Sequence, residues 1–219
     1  KLLGIDIMTG HWEFTLGTDR VLEIVENDLE GHIEFLAHNV KDFDFGDPIF
    51  PGHTMREMNG VPVAIIGQAF PYTPIANPGY LTEGWTFGIQ ERELQAKVDI
   101  VRAQGAQVVI LLSHNGADTD IKLASRVTGL DAILGGHTHD AIPKALEIKN
   151  PQGVTLVTNA GSNGKFMGVL DFDVRDGKIK DWSYQLLPVF ADMLPADPDM
   201  AQLIADIRAP YEQQLSEVL

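Results

Sequence analysis

Four histidines carry most of the chemical promise of this 219-residue chain. His11 follows a short apolar run in GIDIMTGHWEFT, His114 closes the aliphatic run AQVVILLSH, and His137 and His139 close DAILGGHTHD. Each lies just beyond a segment that reads as a strand. In open α/β sheets ligands bind outside the carboxyl ends of the strands, so all four should converge on one crevice. Neutral imidazoles suit zinc, iron and manganese, and a cluster of them points to a hydrolytic metal centre. The i, i+2 spacing of His137 and His139 would put both rings on one side of an extended segment. Gly135 and Gly136 ahead of them let the backbone turn tightly and approach an ion. His32, His38 and His53 lack a strand-end placement and read as solvated or hydrogen-bonded structural residues.

The elements that must position these residues can be read along the chain. Ile5 to Met8 is a short strand, and a helix is expected from Thr18 to Leu29 with Thr18 or Asp19 as its cap. HIEFLAHNV reads as a strand, and TMREMNGVPVAIIG as a hairpin turning at Asn59-Gly60. Residues 70–90, rich in Pro, Gly and aromatics, read as one long irregular loop. A strict alternation follows: a helix from Glu91 to Gln104, the strand AQVVILLSH, a helix from Thr119 to Val127, and the strand within DAILGGHTHD. The near-continuous aliphatics of these two strands predict a sheet covered on both faces. KALEI, GVTLVTNAG, FMGVLDFDV and IKDWSYQLL then read as four hairpin-spaced strands. The last segment should be one long helix, kinked at Pro210.

Composition narrows the classes of function. Acidic residues outnumber basic ones 31 to 16, for a formal charge of −15, which argues against a nucleic-acid partner. No apolar run is long enough to cross a bilayer. The absence of cysteine excludes disulfides, thiolate zinc sites and a cysteine nucleophile within the chain. The chain opens on Lys1, with residues that read as a helix end, a glycine stop and a strand, so a fragment starting inside a domain is expected.

Taken in order, GHWEFT, LLSHNGADTD, GGHTHD and TNAGSNGKFMGVLDFDV resemble the metallophosphoesterase domain of the 5′-nucleotidase type over essentially the whole chain. That family carries Gly-Asn-His-Glu, then Ser/Thr-His-x-Gly after a strand, then Gly-His-x-His. The resemblance implies a four-layer α/β/β/α sandwich, incomplete at its N-terminus. Residues 1–190 would be a partial catalytic domain, and 191–219 a long helix leading to a further C-terminal domain. It also implies that His11, His114 and His137 ligate one metal ion and His139 another. The family's Asp-x-His and bridging Asp would lie upstream of Lys1, so this fragment should bind metal poorly and be inactive alone.

Where the family has Asn-His, this chain has His11-Trp12. Indole offers only a weakly acidic N–H donor, so Trp12 cannot assist a leaving group as a histidine does. Losing general-acid help of typically 10²–10⁴-fold favours a leaving group that needs little protonation, such as sulfur. GHWEFT, EGWTFGIQE and GSNGKFMGVLDFDV together resemble the SoxB branch, the periplasmic thiosulfohydrolases of bacterial sulfur oxidation. That resemblance implies two manganese ions, with zinc or iron compatible with the same donors. It implies hydroxide attack on the sulfonate of a cysteine S-thiosulfonate held by the carrier protein SoxYZ, releasing sulfate. It implies a monomeric enzyme with no nucleic-acid or membrane partner. A 5′-nucleotidase or cyclic-nucleotide phosphodiesterase, and a non-catalytic binding domain, are the alternatives.

Around the centre, Glu13 is expected either to anchor a ligand or to cap the following turn. Trp12 either walls a substrate channel or packs in the core. Asn115 and Gly116 would shape the His114 loop. Asn163 and Lys165 should reach the same rim, where they could donate to an anionic sulfonate or remain solvated. Tyr72, Tyr80, Trp85 and Phe87 would form a docking surface or fold back over the sheet.

Overall fold

A computed structural model describes residues 2–217. Among them the chain runs through β1 (Ile7–Met8), a 3₁₀ turn (Trp12–Leu16), α1 (Thr18–Glu23) continuing as a π-helical stretch (Ile24–Leu29), β2 (Glu34–Phe35) and β3 (Lys41–Asp42). β4 (His53–Met58), β5 (Val61–Gln68), α2 (Thr73–Ala76) and β6 (Trp85–Thr86) follow. Next come α3 (Glu91–Ala103), β7 (Val108–Ser113), α4 (Ala117–Ala124) and β8 (Ala132–Gly135). β9 (Leu146–Asn150), β10 (Gly153–Asn159), β11 (Phe166–Arg175), β12 (Lys178–Pro188), α5 (Pro198–Arg208) and α6 (Glu212–Leu215) complete the order.

The centre is a six-stranded sheet ordered β4-β5-β7-β8-β10-β9, with four parallel inner strands and an antiparallel strand at each edge. Both faces of the inner strands are covered, and their alternating residues divide between two cores. Ala64, Ile66, Val109, Leu111 and Ile133 point to one side, where Leu94, Val98 and Val101 of α3 and Leu123 of α4 pack. The i, i+4, i+7 spacing of the α3 residues puts them on one stripe, and Gly105 at φ 101° ends the segment. Val63, Ile65 and Val108 point to the other side, meeting Ile7 of β1 and Phe172, Val174 and Ile179 of the β11–β12 hairpin.

The hairpin and the parallel pair β1–β2 therefore form a second β layer. Beyond β1–β2, Val21, Leu22, Val25 and Leu29 of α1 and its π-helical extension pack on Met8 and Phe35. The layers run helix, sheet, strand pairs, helix, as the resemblance implied. A cavity of about 640 Å³ separates the two β layers, lined by Val63, Val108, Ile110, Leu134, Phe172 and Tyr184 among others.

Several local expectations are corrected. The strand expected in HIEFLAHNV is only Glu34–Phe35. Beyond it Asn39 bonds sideways to Ala69, its Nδ2 donating to the Ala69 carbonyl at 2.9 Å and its Oδ1 accepting from the Ala69 N–H at 2.8 Å. The helix at Thr18 is capped by Gly17 at φ 89°, because the preceding 3₁₀ turn ends there. Residues 70–90 hold α2, a 3₁₀ turn at Gly79–Thr82, and β6 paired with β3. The final helix starts at Pro198, where Asp197 Oδ1 accepts from the Met200 N–H at 2.9 Å, and breaks into a 3₁₀ turn at Ala209–Tyr211 around Pro210. No residue of α5 is buried, and residues 218 and 219 of the expected connector lie outside the described ones. Among the described residues no helix is long and apolar enough to cross a membrane.

Candidate metal centre

The carboxyl ends of β1, β7 and β8 bring His11, His114 and His137 together, with one ring nitrogen of each within 4.8 Å of the others. His11 Nδ1 and His114 Nε2 are 3.1 Å apart. The ring centroids of the three pairs lie 4.9 to 5.4 Å apart. Two nitrogens bound at about 2.1 Å to one ion with tetrahedral or octahedral angles sit roughly 3.0–3.4 Å apart. The His11–His114 pair already has that separation, and three nitrogen donors form a set that zinc, iron or manganese accepts. Among the described residues the group contains no carboxylate.

The electrostatics keep these rings ready to ligate. Burial is the main cause that pushes His114 down to about 4, with His11, His137 and His139 adding to it. Burial also holds His11 below the ordinary imidazole range. His137 and His139 reinforce that depression, and Glu13 opposes it. His137 is lowered by burial and then by His139. Each is therefore neutral at pH 7, the form a metal needs.

Glycines and one phenylalanine set the geometry. A Cβ on Gly136 would come within 3.0 Å of His114 Nδ1, so any larger residue there would press on the His114 ring. His137 and His139 both adopt positive φ, at 70° and 59°. The segment is a tight turn rather than the extended stretch expected from the i, i+2 spacing: the bend lies at the histidines themselves, past the end of β8 at Gly135, and the Thr138 N–H donates back to the Gly136 carbonyl at 2.9 Å. His137 joins His11 and His114, whereas His139 is exposed and outside the triad. Phe70, just past the end of β5, stacks on His137 with centroids 4.0 Å apart at 26° and lies 4.3 Å from His11. Sequence reasoning missed it. The available signal was its place beyond β5, a fourth strand end at the same rim.

The other expected residues are placed as follows. Glu13 Oε2 accepts from the His11 N–H at 2.8 Å, so it fixes the ligand's backbone as it caps the turn. Trp12 is 70% exposed, which overturns the core reading, and its ring lies 5.0 Å from that of His11. Gly161 N donates to the Asp140 carbonyl at 2.9 Å, setting the loop of Asn163 and Lys165 beside the His139 turn. Both side chains are exposed. Trp85 and Phe87 fold back against Phe14, while Tyr72 and Tyr80 stay exposed. His38 is buried and bonded to Gln68, and burial lowers it to about 4. His53 is half-buried on edge strand β4 and His32 is exposed.

No family model matches the sequence. The chain is 26% identical to the protein UshA of Yersinia enterocolitica (serotype O:8, biotype 1B) over 98% of its own length and 46% of that protein's. It is 27% identical to the 5′-nucleotidase of Rattus norvegicus over 85% of this chain and 35% of that one. Among solved structures it superposes on the sulfate thiohydrolase SoxB of Thermus thermophilus, in complex with glycerol, with a TM-score of 0.89 and 38% identity. That match covers 97% of this chain and 38% of the other. The 5′-nucleotidase precursor of Thermus thermophilus gives a TM-score of 0.84 at 25% identity, covering 97% of this chain and 44% of that one. The chain spans less than half the length of each of these relatives.

Proposed function

We propose that this chain, which is related in sequence and fold to the 5′-nucleotidase-type metallophosphoesterases, is part of a metal-dependent hydrolase that releases sulfate from a cysteine S-thiosulfonate on a sulfur-carrier protein. The observation that carries the reading is the pair His11-Trp12: a ligand-type histidine in the triad, followed by an exposed indole beside it.

Divalent ions held here, manganese by the resemblance, would supply Lewis-acid charge and an activated water. His11, His114 and His137 would hold one of them through neutral nitrogens. His139 would serve a second ion. Phe70 shields one side of the triad from water. Trp12 presents an apolar surface at the mouth and cannot deliver a proton. In the hydrolysis the water oxygen bonds to the sulfonate sulfur and the sulfur–sulfur bond breaks, leaving its electron pair on the carrier's terminal sulfur. Such a sulfur leaves as an anion far more readily than an alkoxide, so the missing proton donor costs little. Asn163 and Lys165, exposed on the adjoining loop, would meet the anionic substrate. Residues 1–190 would be the catalytic part and 191–219 a connector. The carrier SoxYZ, a monomeric state and a periplasmic location go with the same resemblance.

A nucleotide phosphoesterase is the second reading, favoured by the 5′-nucleotidases among the relatives. The two readings separate by product: sulfate from a thiosulfonate-loaded carrier, or phosphate from nucleotides. The assay uses the protein loaded with manganese. AMP hydrolysis without sulfate release would leave the second reading in place of the first.

A further inference from the structure

We propose that Asp120 is a positioning residue for the histidine centre, holding the backbone on both sides of His114 and bracing the glycine step that leads to His137. The inference rests on the reading of the triad as a metal site. Asp120 lies in the first turn of α4 yet is completely buried. A carboxylate so placed loses its hydration and must be compensated by what it binds. Its Oδ1 accepts from the Ser113 hydroxyl at 2.6 Å and from Asn115 Nδ2 at 3.0 Å. The Ser113 hydroxyl also accepts from the Asn115 N–H at 3.2 Å. His114 is the residue between these two, so both of its neighbours are tied to one oxygen.

The second carboxylate oxygen faces the other ligand loop. Oδ2 has no hydrogen-bond partner and would lie 2.7 Å from a Cβ on Gly135. Gly135 ends β8, and His137 follows two residues later. A single side chain thus touches the supports of two of the three histidines while touching neither ring. The bracing extends to β5. Asn115 Oδ1 accepts from Gln68 Nε2 at 3.1 Å, and the Gln68 carbonyl accepts from the His114 N–H at 2.9 Å. Helix dipole alone does not account for this choice, because Asp118 already supplies an acidic side chain in the same turn.

The test is titration of metal-free protein with Co²⁺, reading affinity and the visible d–d spectrum, with thermal unfolding in parallel. Asp120→Ala should weaken binding about 10–100-fold and change the spectrum, as loss of supports behind ligands does elsewhere. Asp120→Asn keeps an oxygen acceptor for Ser113 and Asn115, so it should stay within about threefold of the parent. If Asp120→Ala does not fold, Ser113→Ala and Asn115→Ala each remove one bond and should each weaken binding several-fold. Parent-like affinity and spectrum in Asp120→Ala, or in both of those variants, overturns the proposal, as does equal damage from Asp120→Asn and Asp120→Ala. His114→Ala is the control. If it leaves Co²⁺ binding untouched, the metal site itself is overturned and the role of Asp120 with it. If it abolishes binding while Asp120→Ala does not, only the positioning role fails.

Discussion

His11 Nδ1 and His114 Nε2 stand 3.1 Å apart, although they are 103 positions apart in the chain. The contact exists because β1 and β7 deliver their carboxyl ends to one rim, where Gly136 lets the third loop close in. At that distance the two nitrogens can share one ring proton in a neutral N–H···N bond or be turned onto one cation, and burial disfavours only a charged imidazolium pair.

Removing His114 should therefore remove the centre. His114→Ala is expected to weaken binding of Mn²⁺ or Zn²⁺ by about 100-fold or more, beyond the range found for residues that only support ligands. His139→Ala should cost less than about tenfold in this chain, because His139 lies outside the triad. Calorimetric titration of the metal-free protein reads both.

Phe70 carries packing as well as site geometry. It is 5% exposed and lies against His11 and His137. Phe70→Ala should destabilise the fold by about 3–5 kcal/mol through the cavity it leaves. Phe70→Leu should cost much less. Denaturant unfolding gives the two values.

Acid should destabilise the metal-free protein partly through His38. Burial lowers this histidine from its ordinary 6.5 to about 4, with Lys97 and Lys41 reinforcing the effect and Gln68 and Glu93 opposing it. Its folded-state pKa is thus below the unfolded one, and the folded chain binds fewer protons between those values. The contribution is complete above pH 6.5 and declines as pH falls toward 4, by on the order of 3 kcal/mol. His114 acts in the same direction, so the comparison is between the parent and His38→Gln. The variant should show a shallower loss of stability between pH 7 and 4.5, and an identical slope would count against the account.

Much of this was written in local patterns. The continuous aliphatics of β7 announced a sheet covered on both faces, and Asn59-Gly60 announced the β4–β5 turn. The strand-end histidines were visible because β/α alternation puts every such end on one rim. What stayed hidden depended on contacts distant in sequence. Nothing near Phe70 says that it stacks on a histidine 67 positions further along. Asp120 reads as an ordinary first-turn acid until the fold buries it against Gly135. The bend at His137 and His139 escaped because a period-two argument assumes extended backbone, and both residues have positive φ.

Trp12 is the residue on which the choice of substrate turns. Trp12→His would place a titratable imidazole beside His11, where the indole now stands exposed. In the manganese-loaded protein, phosphomonoester hydrolysis should rise at least about tenfold, toward the lower part of the range for general-acid help. Release of sulfate from a thiosulfonate should not rise with it. Equal gains on both substrates would contradict the leaving-group argument.

The central claim is tested most directly by measuring two products from one preparation. The manganese-loaded protein is given a carrier bearing a cysteine S-thiosulfonate, and separately AMP. Sulfate release that disappears with His114→Ala, alongside little phosphate from AMP, is the predicted result. Efficient phosphate release with no sulfate would contradict the account.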